Sequence, residues 1–388
     1  MMIPFNKPYL TGKEAHYLYQ AVFSGKISGD GIFTKKCHQF FEEKFGFPKV
    51  LLTTSCTDAL ELAALLLRIE PGDEVIMPSY TFVSTANAFA LRGAKIRFVD
   101  SRKDHPGMDE DKIEEVINEK TKAIVPVHYA GVAADMDKIL DLARKYNLKV
   151  VEDAAQAIDA WYTGKDGKKP LGGCGDMGCF SFHETKNIMA GEGGMLAIKN
   201  QEFAGRAEIL REKGTNRSAF FRGEVDKYNW VDIGSSFLPS DIIAAFLYAQ
   251  LENLEDIQKR RISLWNRYNK NLESLESRGF LSRPQVPAFA SQNGHMFYIT
   301  CRNLEERTGL VEHLRKDGIY AVFHYLSLHA APYFQENHDG RTLPESDRFT
   351  DCLLRLPMFY ELEDRQVDMI CDSIEGYFRN DLIAKNGW

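Results

Sequence analysis

The chain has 388 residues, of which 44% are hydrophobic and 27% are charged, and its formal net charge is −7. This length favours a large lobe with a smaller one, and the acidic balance argues against a nucleic-acid-binding protein. Seven scattered cysteines form no CxxC pair, so we expect free thiols in a reducing compartment. We expect no signal peptide, because the N-terminus lacks a basic region followed by an apolar core, and no membrane span, because the most apolar helical stretch is short and contains Glu61 and Arg68. These features together predict a cytoplasmic protein.

Short apolar runs alternate with helical patterns between about residues 50 and 200. The runs predict buried strands at 50–54, 74–79, 95–100, 123–128, 149–153, 179–182 and 194–199. Such alternation is typical of an α/β fold with a mostly parallel sheet between helices. Asp135, before an amphipathic stretch, is a predicted helix N-cap.

The pattern changes after about residue 250. A long charged helical stretch, 251–277, is followed by predicted strands at 295–301 and 320–325 and by a helical pattern at 371–378. We therefore predict a large domain at 1–255 and a smaller C-terminal α+β lobe at 256–388. The N-terminal segment is a candidate contributor to the smaller lobe.

Two candidate binding segments begin where predicted strands end, the edge at which α/β enzymes bind ligands. In 53–61, Ser55, Thr57 and Asp58 precede a helix whose first N–H groups can hold a phosphate. An ordinary helix cap is the alternative. In 79–88, Phe82 is placed to lie against a flat heteroaromatic ring, with a core position as the alternative.

Two further segments carry an acid and a lysine. Asp153 ends a buried strand, where a carboxylate needs a partner such as a protonated pyridine nitrogen, and Gln156 can reach a ring hydroxyl. Asp153 can also be read as a helix cap. Ser181 can donate to a phosphate oxygen, and Lys186 follows in a turn where a desolvated amine would be nucleophilic. Most lysines are solvated, so the combination with Asp153 favours this hypothesis.

The ordered segments SCTDAL, PSYTFVSTANA, VVEDAAQA, SFHETKN and GEGG resemble the sugar aminotransferase family named for DegT, DnrJ, EryC and StrS. The similarity runs from PFNKPYLTG to LRLPMFY. It implies the type I aminotransferase fold with pyridoxal 5′-phosphate (PLP) as cofactor. By this resemblance Lys186 is the Schiff-base lysine and Asp153 the partner of the ring nitrogen. The other implied cofactor contacts are Gln156 at the ring oxygen, Phe82 on the ring, and Thr57, Asp58 and Ser181 at the phosphate.

A narrower similarity, in 28–37, 211–241 and 321–329, is to members that make dTDP-4-amino-4,6-dideoxygalactose for bacterial surface polysaccharide. Their substrates are glutamate and dTDP-4-keto-6-deoxyglucose. Amination at C3, a UDP-linked sugar, dehydration of the sugar and a non-enzymatic binding role remain alternatives. Some members replace the lysine by histidine and dehydrate their sugar, so Lys186 favours transamination. The resemblance also implies a homodimer with shared sites, in which Ser236 stands where many members have a phosphate-binding asparagine from the partner subunit.

Several polar and aromatic residues are candidates for substrate contact. They are His183, Arg217, Phe221, Arg222 and His324. A structural hydrogen bond is the alternative role for His183, and a solvated loop is the alternative for Arg217, Phe221 and Arg222. His324 and His329 lack a matching carboxylate signature, so we expect no metal site. The GxGxxG match at 173–178 precedes a strand rather than following one, which predicts a glycine turn and not a dinucleotide site.

Overall fold

The computed structural model describes residues 2–386, with the side chains of residues 2–379. The strands are β1 (Lys49–Thr53), β2 (Glu74–Pro78), β3 (Lys95–Val99), β4 (Thr121–Ile124), β5 (Lys149–Asp153), β6 (Trp161–Gly164), β7 (Gly167–Pro170), β8 (Met177–Ser181), β9 (Gly194–Ile198), β10 (Leu281–Ser282), β11 (Tyr298–Cys301) and β12 (Leu353–Arg355). The first nine strands belong to the large lobe and the last three to the small lobe.

The large lobe is built on a seven-stranded sheet with the order β1-β9-β8-β5-β4-β2-β3. The pairs among β2, β3, β4, β5 and β8 are parallel, whereas β9 runs antiparallel to both β1 and β8. Each of the seven strands predicted between residues 50 and 200 overlaps a strand of this sheet. The prediction of a mostly parallel α/β sheet is therefore confirmed.

Helices cover both faces of the large sheet. The helices are α1 (Glu14–Phe23), α2 (Ile32–Phe45), α3 (Cys56–Leu66), α4 (Val83–Ala90), α5 (Met136–Tyr146), α6 (Ala204–Arg211), α7 (Arg217–Phe221), α8 (Asp241–Leu251), α9 (Leu254–Asn271), α10 (Glu273–Ser277), α11 (Leu304–Lys316), α12 (Pro344–Cys352) and α13 (Asp364–Asn386). Helices α2, α5 and α8 pack on one face, and α3, α4 and α6 on the other. Successive residues of β1 alternate between these cores: Val50 and Leu52 join the first, and Leu51 joins the second.

Two local predictions in the large lobe are confirmed. Asp135 caps α5, since its carboxylate accepts a hydrogen bond from the backbone N–H of Lys138. The glycine-rich segment before β8 is a turn, whose N–H groups at Gly172, Cys174 and Gly175 donate to the buried carboxylate of Glu152. These amides bind a protein carboxylate, so the turn does not form the phosphate site of a dinucleotide fold.

The small lobe has its own core. The antiparallel strands β10, β11 and β12 pack with α11, α13 and the second half of α9. The N-terminal segment joins this lobe: Ile3 is buried in its core, and the Ile3 N–H donates to the carbonyl of Gly318 at 2.8 Å. No helix within residues 2–386 combines the length and apolar character needed to cross a membrane.

The strand predicted at 320–325 is wrong. Within this segment Val322 makes a single bridge to Arg355, and the chain then leaves the sheet. His324 and Tyr325 turn toward the interlobe cavity instead of continuing the ladder. Alternating aromatic and β-branched residues fit a strand and an irregular cavity wall equally well, so the local pattern does not distinguish them. The β6–β7 hairpin was not predicted.

Candidate active site

A cavity of about 600 Å³ lies between the lobes, at the carboxyl ends of β5 and β8. The large lobe supplies most of its wall, and the small lobe supplies His295, His324, Tyr325 and Arg355. The large-lobe wall contains Ser55, Cys56, Thr57, Leu60, Thr81, Phe82, Ser84, Val127, Asp153, Ala155, Gln156, Ser181, His183, Thr185, Lys186 and Glu192. Most of the predicted cofactor residues thus come together in one place, although they derive from distant segments of the chain.

Asp153 is a buried acceptor at the end of β5. One carboxylate oxygen accepts a hydrogen bond from the Thr85 hydroxyl at 2.7 Å, and the other accepts from the Ala155 N–H at 3.1 Å. Burial raises the pKa of this carboxyl, and no described basic side chain lies within ion-pair distance. The site therefore suits a cationic N–H donor in the cavity, which would keep Asp153 ionised.

Lys186 is a half-buried amine on the turn that follows β8. Its backbone N–H donates to the His183 carbonyl at 2.9 Å, which fixes the turn. Burial lowers the pKa of the Lys186 amine to about 8, and the charge of Asp153 partly opposes this shift. A much larger share of this lysine is neutral near neutral pH than of a solvated lysine, so it can attack a carbonyl carbon or carry a proton.

The N-terminus of α3 forms a site for an anion beside these two residues. Ser55 caps the helix by accepting from the Asp58 N–H at 3.0 Å. The N–H groups of Cys56 and Thr57 come before the first helical hydrogen bond and form the positive end of the helix dipole. Ser55 thus acts as an ordinary cap while the same helix end presents free donors to the cavity. Ser181 approaches this end from β8.

Asp58 does not line the cavity. Its carboxylate accepts a hydrogen bond from the Thr54 hydroxyl, and burial raises its pKa to about 6. The structure therefore offers no side-chain contact from Asp58 to a phosphate. Thr57, in contrast, lines the cavity, with its hydroxyl donating to Ser84 at 2.8 Å.

Phe82 and Gln156 flank the centre of the cavity. Phe82 precedes α4 and is 54% exposed, so its ring faces open space and is not in the core. The Gln156 side chain is held at both ends: it accepts from the Ala130 N–H at 2.6 Å and donates to the Tyr325 hydroxyl at 3.2 Å. A ligand ring between Phe82 and Gln156 would meet one flat apolar surface and one fixed amide.

The predicted substrate residues divide into two groups. His183 and His324 line the cavity; His183 is fixed by Thr185, whose hydroxyl lies 3.0 Å from its Nδ1, and His324 lies 3.3 Å from the Tyr129 hydroxyl. Burial lowers the pKa of His324, so this imidazole is neutral at physiological pH.

The second group lies outside the cavity of its own chain. Arg217, Phe221 and Arg222 are all exposed, and so is Ser236, which the resemblance placed at the cofactor phosphate of a partner subunit. Arg217 stacks on the Phe221 ring at 5.2 Å, and Arg222 forms ion pairs with acidic neighbours. None of these four residues lines the cavity.

Thr85, Tyr325, His295 and Arg355 line or support the cavity but were not predicted. Thr85 could have been predicted from Phe82. The two residues are three positions apart, so a helix that begins at Phe82 places both side chains on the same face. Arg355 left a weaker signal, a lone charge inside the apolar run 353–359.

PLP carries an aldehyde, a basic ring nitrogen and a phosphate, and the cavity has a group suited to each. Lys186 offers an amine whose pKa burial lowers to about 8, Asp153 an unpaired buried carboxylate, and the start of α3 a set of free N–H donors. The described residues therefore fit this cofactor, and fold and cavity together define a PLP-dependent enzyme of the aminotransferase class.

Comparison with known proteins narrows this class. Residues 8–375 match the model of the DegT/DnrJ/EryC1/StrS aminotransferase family. The chain is 34% identical over 380 residues to GDP-perosamine synthase of Escherichia coli O157:H7, covering 97% of this chain and 98% of that protein. It superposes on the aminotransferase TlmJ of Streptoalloteichus hindustanus with a TM-score of 0.89 and 29% identity, covering 98% and 100% of the two chains. It superposes on the PLP form of the sugar aminotransferase Spr1654 of Streptococcus pneumoniae with a TM-score of 0.88 and 26% identity, covering 98% of this chain and 99% of that chain. The chain belongs to the DegT/DnrJ/EryC1/StrS family and is a PLP-dependent sugar aminotransferase.

Proposed function

We propose that the enzyme transfers the amino group of L-glutamate to the C4 keto group of dTDP-4-keto-6-deoxyglucose, giving dTDP-4-amino-4,6-dideoxygalactose for surface polysaccharide. The observation that carries the transaminase chemistry is the presence in one cavity of Lys186, whose pKa burial lowers to about 8, and of unpaired Asp153. The choice of sugar is supported by the similarity of segments 28–37, 211–241 and 321–329 to enzymes that make this product.

In this proposal each cavity residue has one task. PLP, when bound, supplies an electron sink, and Asp153 keeps its ring nitrogen protonated. Lys186 holds the cofactor aldehyde between turnovers and carries the proton that leaves the donor's α-carbon, a task suited to a pKa of about 8. Phe82 and Gln156 set the plane of the ring. Thr57, Ser181 and the start of α3 hold the phosphate.

We further propose that the enzyme works as a homodimer with shared sites. Arg217, Phe221, Arg222 and Ser236 are exposed and outside their own cavity, which supports a role in the cavity of a second copy. Trp230, in the same segment, is 82% exposed, and such a large apolar surface suits an interface.

Complementation tests this arrangement. Lys186→Ala and Arg217→Glu variants are each expected to be inactive and to regain activity when refolded together, because one site of the hybrid dimer then has both residues intact. If Arg217 served its own chain, both hybrid sites would be defective and no activity would return.

A GDP-linked sugar is the second candidate substrate. The 34% identity to GDP-perosamine synthase over nearly the whole chain favours it. Comparing kcat/KM for dTDP-, GDP- and UDP-linked 4-keto-6-deoxy sugars would decide between the nucleotides, and NMR of the product would give the position and stereochemistry of the amine. We expect the dTDP substrate to be preferred at least tenfold, about 1.4 kcal/mol of transition-state binding.

The visible spectrum of the PLP-loaded protein tests both halves of the reaction. L-Glutamate should remove the band of the bound cofactor, and the dTDP-keto-sugar should restore it. A band that disappears and is not restored would reject this sugar. A deoxy sugar formed without consumption of glutamate would indicate dehydration and would refute the proposal. All seven cysteines are free thiols, which supports a cytoplasmic location for this step.

A further inference from the structure

His295 is a buried histidine of the cavity wall, and its hydrogen bonds fix which ring nitrogen carries the proton. Its Nδ1 lies 2.8 Å from the side-chain oxygen of Asn187. The Asn187 amide cannot be turned the other way, because its nitrogen faces the backbone carbonyl of Asn293 at 2.9 Å and a carbonyl can only accept. The Asn187 oxygen is therefore an acceptor, so Nδ1 of His295 is the protonated nitrogen.

The other ring nitrogen of His295 is an acceptor that faces the cavity. Burial, reinforced by the charge of Lys186, holds the pKa of His295 well below its usual range, so the ring is neutral and carries one proton. The hydrogen bonds that His295 makes to described residues involve its backbone and Nδ1, and none involves Nε2. A lone pair of the small lobe is thus available at the cavity surface.

A buried polar network holds this ring in place. The backbone N–H of His295 donates to the side-chain oxygen of Asn293 at 3.0 Å, and its carbonyl accepts from Arg261 at 2.7 Å. Asn293 donates in turn to the backbone carbonyls of Gln156 and Ile158, at 2.9 and 2.8 Å. The histidine is therefore fixed to the same segment of the large lobe that carries the cavity residue Gln156.

Lys186 is the donor that this acceptor suits. Asn187 follows Lys186 in the chain and binds the His295 ring, so one residue connects the two cavity side chains. Among the described residues, the ε-amine of Lys186 has no hydrogen-bond partner. When it takes up a proton it has three N–H donors, and a neutral nitrogen lone pair is an acceptor for one of them.

We infer that Nε2 of His295 accepts a hydrogen bond from the ε-ammonium of Lys186 whenever the lysine is free of the cofactor. This inference rests on the proposed transaminase function, in which Lys186 carries a proton, and adds a positioning residue for that proton. The proton stays on Nζ, because the buried ring of His295 is too weak a base to take it. His295 thus sets the direction of the amine and leaves its proton available for transfer.

Two substitutions of His295 separate its two nitrogens. In His295→Asn the amide N–H takes the place of Nδ1 and keeps the bond to Asn187, but the acceptor at Nε2 is gone. In His295→Gln the longer side chain loses that bond and restores an acceptor oxygen near the position of Nε2. Gln258→Leu is the control for loosening of the network: Gln258 is buried, accepts from the Asn187 amide at 2.8 Å and lies outside the cavity.

The first measurement is the pH midpoint of PLP capture by the apoprotein, which reports the pKa of Lys186. The other groups that act on this pKa are Cys56 and Asp153 of the large lobe and Arg355 of the small lobe, and all variants retain them. The wild-type midpoint should lie at about 8. It should fall by about one pH unit in His295→Asn, because the charged amine loses a hydrogen bond, and shift by less than about 0.3 unit in His295→Gln and Gln258→Leu.

The second measurement is the half-reaction of the PLP-loaded enzyme with L-glutamate, followed by stopped flow. The maximal rate should fall about tenfold in His295→Asn, whereas the glutamate concentration at half-maximal rate should stay within about twofold. A third measurement needs no substitution at the acceptor to be active: the ¹⁵N shifts of labelled apoprotein should show His295 protonated at Nδ1 and bare at Nε2. The signal is assigned by its absence from His295→Gln.

The outcomes separate the two hypotheses. If no amino acid removes the band of the wild-type enzyme, the proposed function fails and the inference fails with it. If glutamate removes that band and His295→Asn keeps the wild-type midpoint, only the role of His295 is refuted. Equal falls in His295→Asn and Gln258→Leu would show that the network merely supports the fold, and would also overturn the inference. Should His295→Asn not fold, as judged by circular dichroism, a ¹⁵N spectrum with the proton on Nε2 would be the refuting result.

Discussion

Replacing Asp153 with asparagine removes the negative charge of the side chain while keeping its size and shape. Asparagine can keep both protein hydrogen bonds. Its side-chain oxygen can accept from the Ala155 N–H, and its amide N–H can donate to the Thr85 hydroxyl. The Thr85 hydroxyl would then donate to the Thr81 hydroxyl, 2.9 Å away, instead of to residue 153. The variant should therefore fold normally. What it loses is the charge-assisted hydrogen bond to the cofactor, worth about 1.5–3 kcal/mol, so cofactor affinity should fall roughly ten- to a hundredfold.

The assay for Asp153→Asn is titration of the apoprotein with PLP, followed by the rate of the glutamate half-reaction. The pKa of Lys186 provides a second signal, because the Asp153 charge raises it and its removal should move it below about 8. Asp159→Asn is the control: Asp159 accepts from the Trp161 indole N–H, has a positive φ that asparagine tolerates, and lies outside the cavity. Wild-type affinity and rate in Asp153→Asn would refute the role given to this residue.

Three other predictions follow from the structure. The rate at which the apoprotein captures PLP should rise with pH and level off above about pH 8, because Lys186 must lose its proton first. The rate is measured from the appearance of the absorption band of the bound cofactor. A rate profile with its midpoint near pH 10.5 would show that burial does not lower the pKa of Lys186. Gly194→Ala should weaken cofactor binding by displacing Ser55, whose carbonyl lies 2.2 Å from the added Cβ, whereas exposed Gly205→Ala should not; equal constants in PLP titration would argue against this packing. Glu152→Gln should lower the free energy of unfolding by about 1–3 kcal/mol, because an amide N–H then faces one of three backbone donors; an unchanged urea midpoint would contradict this.

The large lobe was predictable because its residues repeat a simple pattern. Buried apolar runs of about five residues separated by helical stretches define parallel strands, and β1 and β5 begin within one residue of their predicted starts. Segment 320–325 has a similar run of aromatic and branched residues, yet Val322 alone pairs with a strand. What places His324 and Tyr325 in the cavity is tertiary packing against the large lobe, which the local sequence does not encode.

The site residues that could be predicted are those at the carboxyl ends of the parallel strands, where α/β enzymes bind their ligands. Asp153 ends β5 and Lys186 lies in the turn after the neighbouring strand β8, so the sheet brings both to the same edge. Arg355 ends a strand of a different sheet, and only the packing of the small lobe on the large one brings it to the same cavity. The resemblance placed Asp58 at the cofactor phosphate, whereas in the structure its carboxylate accepts a hydrogen bond from Thr54 and does not line the cavity.

One cavity must accept an amino acid and a sugar substrate in turn. Both substrates react at the same cofactor, so Lys186 and Asp153 act on both, and a change such as Asp153→Asn should slow the two half-reactions by similar factors. The ratio of the two half-reaction rates therefore separates the residues that run the chemistry from those that recognise one substrate.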